Sequence, residues 1–394
     1  CRGRAATGAQ VAQCRGVVLT GRGAVWPVGF GAGRMCAMIQ RGRCGLGPGP
    51  GGGHLEELGG RVAGLVPEFE AKSIPRTYRR SMSRMGLFAC LAAREALALA
   101  DLEDYPKDMG VSVGTTMGSP RTLTEFFGEY LGSQGFGSQR STTFFKIMGH
   151  GAASSLALTL GLQGRTLAPS AACAAGLQAV GLGYEAISSG REKVMLCGGT
   201  EEFDVLTALT FDHILAASHN PDPRAASRPF DLSRDGLVCS EGAGVLLLES
   251  LDFALGRKAP ILAEIAGFAT TTSPANLVHP DPEGIARCMR LALADASLPA
   301  EAICAVNAHA PATVEGDKAE AEAIFSVFGS EVPVNSFKGQ LGPTMAASGA
   351  LELIVCLWMI NNDLLLPNYN LDNPDPALGS IRLPKESQKR IIKG

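Results

Sequence analysis

A thiol, an imidazole and an ammonium group stand at three similar places in this chain, each where an expected strand runs into a loop or helix: Cys173, His309 and Lys338. Cys173 lies in SAACAAG (Ser170 to Gly176), after the small-residue stretch Thr166 to Ala172. Beyond it, Ala174 to Ser189 carries apolar residues at Leu177, Val180, Tyr184 and Ile187, which is helical spacing. A thiol at the mouth of such a helix meets free backbone N–H groups and the positive dipole end. Both favour the thiolate, which is the nucleophile. The other reading of Cys173 is a small thiol packed in an Ala-rich core. His309 sits in NAHA after Ile303 to Val306, and Lys338 in NSFKG after Val332 to Val334. In sheets covered by helices, chemistry gathers in loops at the carboxyl ends of strands, and this shared placement puts the three residues in one site.

The elements that must position them follow from hydrophobic pattern and breakers. Strands are expected at Val17 to Leu19, Val111 to Val113, Val194 to Cys197, Val245 to Leu248 and Ala259 to Ala266, besides the two before His309 and Lys338. Thr20 to Gly29 reads as a turn-rich segment, and residues 46–60, crowded with Gly and Pro, as a loop. Helical spacing marks Arg79 to Leu102, Glu283 to Ala294 and Lys318 to Val327, and Leu351 to Ile360 reads as a short buried helix. Strands alternating with helices imply an α/β fold with parallel or mixed sheets.

Composition bounds the function. The chain has 394 residues, 46% hydrophobic and 19% charged, with a net charge of −3, which suits one large or two ordinary domains. So small a charge excess argues against nucleic acid as the main partner. No apolar run approaches the ~20 residues that cross a bilayer, so no membrane partner is expected. The eleven cysteines form no CxxC pair and no Cys/His cluster, so neither zinc nor a disulfide framework is indicated. A reducing cytoplasm is the expected location. Residues 1–16 lack an apolar signal core and read as a disordered leader or cloning remnant.

Motifs in a fixed order carry a resemblance. VLTGRGAVWPVG opens the series, followed by SAACAAG, GGTEE (Gly198 to Glu202), SRPFDLSRDGLVCSEGAGVLLLE (Ser227 to Glu249), NAHAPAT (Asn307 to Thr313) and NSFKGQLG (Asn335 to Gly342). In this order and at these separations the chain resembles the β-ketoacyl-[acyl-carrier-protein] synthases, the type I/II elongating condensing enzymes of the thiolase superfamily. The resemblance implies a five-layered αβαβα fold of two similar halves with mixed sheets, residues 17–257 carrying the nucleophilic Cys and residues 258–394 forming the second half. It also implies a dimer, homomeric or with a related ketosynthase, formed through a sheet edge.

By the same resemblance Cys173 accepts the acyl chain, His309 is one of two histidines that bind the malonyl carbonyl, and Lys338 organises the site with Glu320 as its partner. Thr313 lines the phosphopantetheine tunnel, and Arg76 and Arg80, with Arg79 and Arg84 beside them, face an acidic acyl carrier protein. Acyl transfer to Cys173 and decarboxylative Claisen condensation with malonyl carrier protein follow, in fatty acid or polyketide biosynthesis. No cofactor or metal takes part; substrates ride on carrier phosphopantetheine. His54, His150, His213, His219 and His279 match no catalytic position and read as structural or solvated.

Two departures bear on that implication. The second histidine of the family falls at Pro343, which has no side-chain donor and no N–H. Losing one donor of this kind typically costs ~10²–10³ in rate. NAHAPAT also replaces an expected Gly-Thr-Ser by Ala310, Pro311 and Ala312. In addition, the family's closing strand and its Phe-Gly-Gly-Thr-Asn loop do not appear before Gly394, which implies a truncated second half. These departures leave open a homologue that transfers acyl groups without extending them, or a non-catalytic partner like a chain-length factor. The retained Cys173 argues against the latter. A degradative thiolase fits less well, because RPFD…RDG resembles the synthases.

Overall fold

The computed structural model describes residues 16–50, 62–133, 140–274 and 280–392. The expected leader (apart from Gly16), His54 and His279 lie outside the described residues. A mixed seven-stranded sheet organises the first part of the chain. Its strands are β1 (Val17–Trp26), β2 (Gly29–Phe30), β5 (Gly110–Gly114), β6 (Thr166–Leu167), β7 (Val194–Glu201), β8 (Gly242–Ser250) and β9 (Ala263–Glu264). The order is β2-β1-β8-β7-β5-β6, with β9 also paired to β1. β8 runs antiparallel to both β1 and β7, whereas β7, β5 and β6 are mutually parallel. Every residue of β7 and β8 is buried, the mark of central strands covered on both faces. Smaller pairs are β3 (Gly47–Pro48) with β4 (Val62–Ala63), β10 (Val306–Asn307) with β11 (Val334–Asn335), and β12 (Leu364–Leu365) with β13 (Gln388–Lys389).

Helices cover the sheet on both sides. On one face lie α2 (Arg76–Arg79), α3 (Arg84–Leu99), α4 (Pro120–Ser133), α5 (Ser141–Ile147) and α6 (Gly151–Leu160), of which α3 and α6 fill the core with residues such as Phe88, Ala92 and Leu156. Ser83 caps α3 by accepting the Gly86 N–H at 3.3 Å. On the other face, α1 (Ala32–Gln40), α7 (Ala175–Ser188) and α13 (Ser348–Asn362) pack a second core with Val180, Leu351 and Ile354. The parallel pair β10–β11 lies beyond α13, to which Asn335 reaches through Met359 Sδ at 3.7 Å. A third core holds α11 (Val314–Phe328) against β10–β11 through Ile324, Val334 and Ala308, and α10 (Pro282–Asp295) joins it through Met289. The helices α8 (Val205–His213), α9 (Leu251–Gly256) and α12 (Lys338–Leu341) are short connectors. The architecture is α/β, layered helix–sheet–helix–sheet–helix.

Several expected elements need correction. The first strand continues to Trp26 through the segment read as turns, because pairing with β8 extends to Val25 after a register shift between Leu19 and Gly21. Residues 259–266 form only the two-residue β9, and the strands before His309 and Lys338 shorten to two residues each. The expected helix Arg79 to Leu102 is two helices, broken before the Ser83 cap. The helical run Met345–Asn362 spans 18 residues at a mean hydropathy of 1.3, longer than expected and long enough by length and composition to cross a membrane. Two-thirds of it is buried inside the protein, as a core helix between the two sheets should be.

One buried charge ties strand, helix and connector together. The Glu249 carboxylate on β8 has no exposed surface; it accepts the Thr20 hydroxyl from β1 and pairs with Arg257 at 2.8 Å and 2.5 Å. Arg257 also donates to the Ala100 carbonyl at 2.8 Å, at the end of α3. Removing one partner of such a pair leaves the other charge buried and uncompensated. Arg257→Ala is therefore expected to destabilise the fold by about 3–5 kcal/mol, read as a lower urea midpoint at unchanged slope.

Candidate functional site

Cys173 stands two residues before α7, whose N-cap residue Ala174 offers no side-chain acceptor; the N–H groups of Ala174 and Ala175 are instead taken by the Ala171 and Ala172 carbonyls at 3.0 Å and 3.1 Å. Ala172 just before it adopts φ 47°, a left-handed conformation that turns the chain sharply into the helix. The sulfur itself lies 3.9 Å from Met345 Sδ, in a small apolar cluster with Cys239, Leu237 and Ala208. The expectation of a resting thiolate does not hold. Burial pushes the Cys173 thiol up, with Glu201 and Glu352 adding to the rise, while Lys338 pulls the other way. Desolvation of the charged form outweighs the nearby ammonium.

Lys338 is the electrostatic hub. It opens α12, is 1% exposed, and its Nζ lies 2.5 Å from Glu352 Oε1 on α13. Its positive charge acts on Cys173, His309, Glu320 and Glu352 together, which brings all of them into one neighbourhood. The expected ion pair with Glu320 is therefore corrected to Glu352. Glu320 is occupied otherwise: its two oxygens accept the backbone N–H groups of His309 and Ala310, each at 2.7 Å. Burial raises both carboxyl groups and Lys338 lowers both.

The loop carrying His309 is held by acceptors rather than by glycines. Ala310 and Ala312 take positive φ values of 23° and 74°, and the carboxylates of Glu320 and Asp317 bind the N–H groups of Ala310 and Ala312 (3.1 Å to Asp317). The His309 ring is reached by water, yet crowding by the protein and the Lys338 charge both lower its proton affinity. The imidazole is neutral at neutral pH, with one N–H free to donate. The RPFD…RDG block now has a physical role. Arg234 pairs with Asp375 at 2.6 Å and with Asp317 at 3.6 Å, and Ser227 donates to the Lys338 carbonyl at 2.6 Å.

The remaining expected residues fall around this centre. Thr313 is the residue before α11, half-buried, and its carbonyl accepts the Asp317 N–H at 3.1 Å. Pro343 is buried between α12 and the Met345 turn, its carbonyl accepting the Ser240 N–H at 3.0 Å. Arg76 and Arg80 are exposed at the two ends of α2, whereas Arg84 is drawn inward onto Glu241 at 2.8 Å, between the rings of Phe69 and Phe88. His219 pairs with Asp212 at 2.7 Å. Among the described residues, no group of three or more His, Cys, Asp or Glu side chains is arranged to hold a metal ion. Glu352 was missed because it sits in an apolar helix read only for its hydrophobicity. A single acid inside such a run was the available signal. Glu201 and Met345 were likewise unassigned, although GGTEE was noted as a motif.

Replacing Lys338 tests the hub. Lys338→Met removes the counter-charge of a buried carboxylate, at an expected cost of about 3–5 kcal/mol. It also removes the one positive group that eases Cys173 ionisation, so iodoacetamide labelling of the Cys173 peptide should shift to higher pH. A labelling profile identical to wild type would show that the ammonium does not act on the thiol.

Comparisons with known proteins identify the family. The model of the β-ketoacyl synthase N-terminal domain matches residues 15–254, and that of the β-ketoacyl synthase C-terminal domain matches residues 262–372. The chain is 32% identical over 391 residues to a 3-oxoacyl-[acyl-carrier-protein] synthase 2 of Synechocystis sp., covering 95% of this chain and 92% of that protein. It superimposes on a β-ketoacyl synthase from Burkholderia phymatum STM815 with a TM-score of 0.91 at 36% identity, over 96% and 94% of the two chains. The ishigamide ketosynthase/chain length factor gives a TM-score of 0.90 at 32% identity, over the same shares. With both domain models matched in order around Cys173, His309 and Lys338, the chain belongs to the β-ketoacyl synthase family, acyltransferases of the condensing type with a thiolase-like fold.

Proposed function

We propose that this protein is a 3-oxoacyl-[acyl-carrier-protein] synthase acting in fatty acid or polyketide biosynthesis, with Cys173 as the acyl-accepting nucleophile. The observation that carries the reading is the shared field of Lys338. One ammonium, neutralised by Glu352, acts on both the thiol and the imidazole that the reaction needs. In the first half-reaction the Cys173 sulfur attacks the acyl thioester carbonyl, the carrier thiol leaves with the proton, and a covalent thioester remains. In the second, a malonyl thioester loses carbon dioxide, and the resulting carbanion attacks the Cys173 thioester, releasing a 3-oxoacyl carrier and freeing the sulfur. His309, as a neutral donor, stabilises the negative charge that builds on the malonyl carbonyl oxygen. Glu320 holds the His309 backbone in place, and Thr313 lines the path of the phosphopantetheine arm.

Carrier and partner follow from the same reading. The substrates arrive on acyl carrier protein, an acidic partner suited to the exposed Arg76 and Arg80. A dimer through the sheet edge is supported by β6, which ends the strand order, and by exposed Leu158, Phe144 and Phe145 on α6 and α5 close by. Whether the second subunit is a copy of this chain or a related ketosynthase, the same edge serves. The nine described cysteines are all free thiols, which suits a reducing, cytoplasmic setting.

Pro343 favours a second reading, in which acyl groups are transferred without extension. A proline where a second donor is expected weakens decarboxylation more than it weakens acylation of Cys173. The deciding experiment incubates the protein with acyl and malonyl carrier proteins and follows both products by mass spectrometry. We expect a Cys173 acyl adduct, lost in Cys173→Ser, together with 3-oxoacyl product formed slowly. Pro343→His should raise that product by roughly 10²-fold, the size of one restored donor. An adduct with no elongated product from either protein would establish transfer alone, and no adduct at all would make the chain a partner subunit.

A further inference from the structure

The carboxylate at the end of β7, Glu201, is 3% exposed and takes no part in the mechanism above. Its Oε2 accepts two backbone N–H groups from distant parts of the chain: Thr116 at 3.1 Å and Ala346 at 3.4 Å. Each of these belongs to a turn that flanks the nucleophile. The Thr115–Thr116 turn is joined to the strand entering the Cys173 elbow: Thr115 bridges Ser170, and the Ser170 hydroxyl donates to the Thr116 carbonyl at 2.8 Å. The Met345–Ala346 turn touches the nucleophile directly, with Met345 Sδ 3.9 Å from the Cys173 sulfur.

That second turn is held under strain. Met345 adopts φ 47°, which a bulky residue takes only when its surroundings impose it. The Ala346 carbonyl is wedged against Gly176 in the first turn of α7 and Gly199 in β7, where an added Cβ would approach it to 2.3 Å and 2.0 Å. The wedge fixes the carbonyl side of the peptide and Glu201 fixes the N–H side. Without the carboxylate, the Ala346 N–H would lose its acceptor in a buried place, and the turn would lose one of the contacts that hold Met345.

We propose that Glu201 is a positioning residue of the condensing site, tying together the two turns that hold the Cys173 sulfur in place. The proposal rests on the reading of Cys173 as the nucleophile. Its charge has a second consequence. Burial raises the Glu201 carboxyl to about 7, opposed by the Thr116 side chain and by the Thr116 and Ala346 N–H groups, with Glu202 adding to the rise. The ionised carboxylate in turn opposes ionisation of Cys173, and of Cys239 in the same cluster. The other charges acting on the sulfur are Lys338, which eases ionisation, and Glu352, which opposes it. Glu201 is protonated below its own midpoint and charged above it, so its opposition to the thiolate appears only as pH rises through about 7.

The two roles separate in two variants. Glu201→Gln keeps an oxygen for the two N–H groups and removes the charge. The Cys173 peptide should then alkylate several-fold faster at pH 7, with its pH profile moved to lower pH. Glu201→Ala removes the tie as well, and acyl-transfer kcat should fall by roughly 10- to 100-fold with KM for the acyl carrier nearly unchanged. Glu201→Gln should recover most of that loss. Circular dichroism and the thermal midpoint establish that each variant is folded. A wild-type alkylation profile in Glu201→Gln, together with wild-type turnover in Glu201→Ala, would overturn the proposal. Failure of the wild-type protein to acylate Cys173 would instead overturn the nucleophile reading, and the alkylation profiles would still decide whether Glu201 acts on the sulfur.

Discussion

A buried ammonium has to be neutralised where it stands, and in this molecule that requirement shapes the site. Lys338 is 1% exposed, and the contact with Glu352 at 2.5 Å keeps its charge from standing uncompensated in the core. The contact fixes α12 against α13, and Ser227 secures the Lys338 backbone from a third direction at 2.6 Å. Around this pair the neighbouring polar groups all feel the positive charge. Burial raises Glu352 and Glu320, yet Lys338 pulls both back, so neither is free to ionise or protonate independently of it. Burial first, and then the same charge, lower the proton affinity of the His309 imidazole.

The resting state that results is not a thiolate–imidazolium pair. Cys173 is pushed up by burial, and His309 is pushed down, so the proton stays on sulfur. A thiol raised in this way alkylates slowly at neutral pH and faster as the pH rises. A neutral imidazole is also the right form for its assigned task, because donation to a developing oxyanion needs an N–H rather than a transferable charge. The N-terminus of α7 does not offset burial: the N–H groups of Ala174 and Ala175 are already bound by the Ala171 and Ala172 carbonyls. That is why reading the dipole alone predicted a thiolate.

What the sequence revealed was local, and what it concealed was not. The helix after Cys173 and the apolar strands β7 and β8 follow from short-range pattern, and the order of motifs carried the family. The continuation of β1 to Trp26 was hidden because Gly and Pro residues there mimic turns, while the pairing that makes a strand comes from β8, far along the chain. The partner of Lys338 was hidden for a similar reason. Glu320 looked suitable on a polar helix, whereas Glu352 is buried in an apolar one, and only the packing of α13 brings it to the ammonium. Glu320 instead satisfies two backbone groups, a demand that no side-chain pattern announces.

The same reasoning explains how the substitutions around His309 are accommodated. Alanine is a poor residue for left-handed backbone, yet Ala310 and Ala312 both adopt it. Their N–H groups are bound by Glu320 and Asp317, and Asp317 is itself held by Arg234 at 3.6 Å. Each strained residue is therefore matched by a charge-assisted hydrogen bond, so the loop keeps its course without glycine. Pro343 is different in kind. Its carbonyl is used by Ser240, but its ring offers the site only a wall. Under the proposed function, polarising the malonyl thioester carbonyl falls to the His309 imidazole, and acyl transfer to Cys173, which asks nothing of position 343, is the half-reaction that the proline leaves untouched.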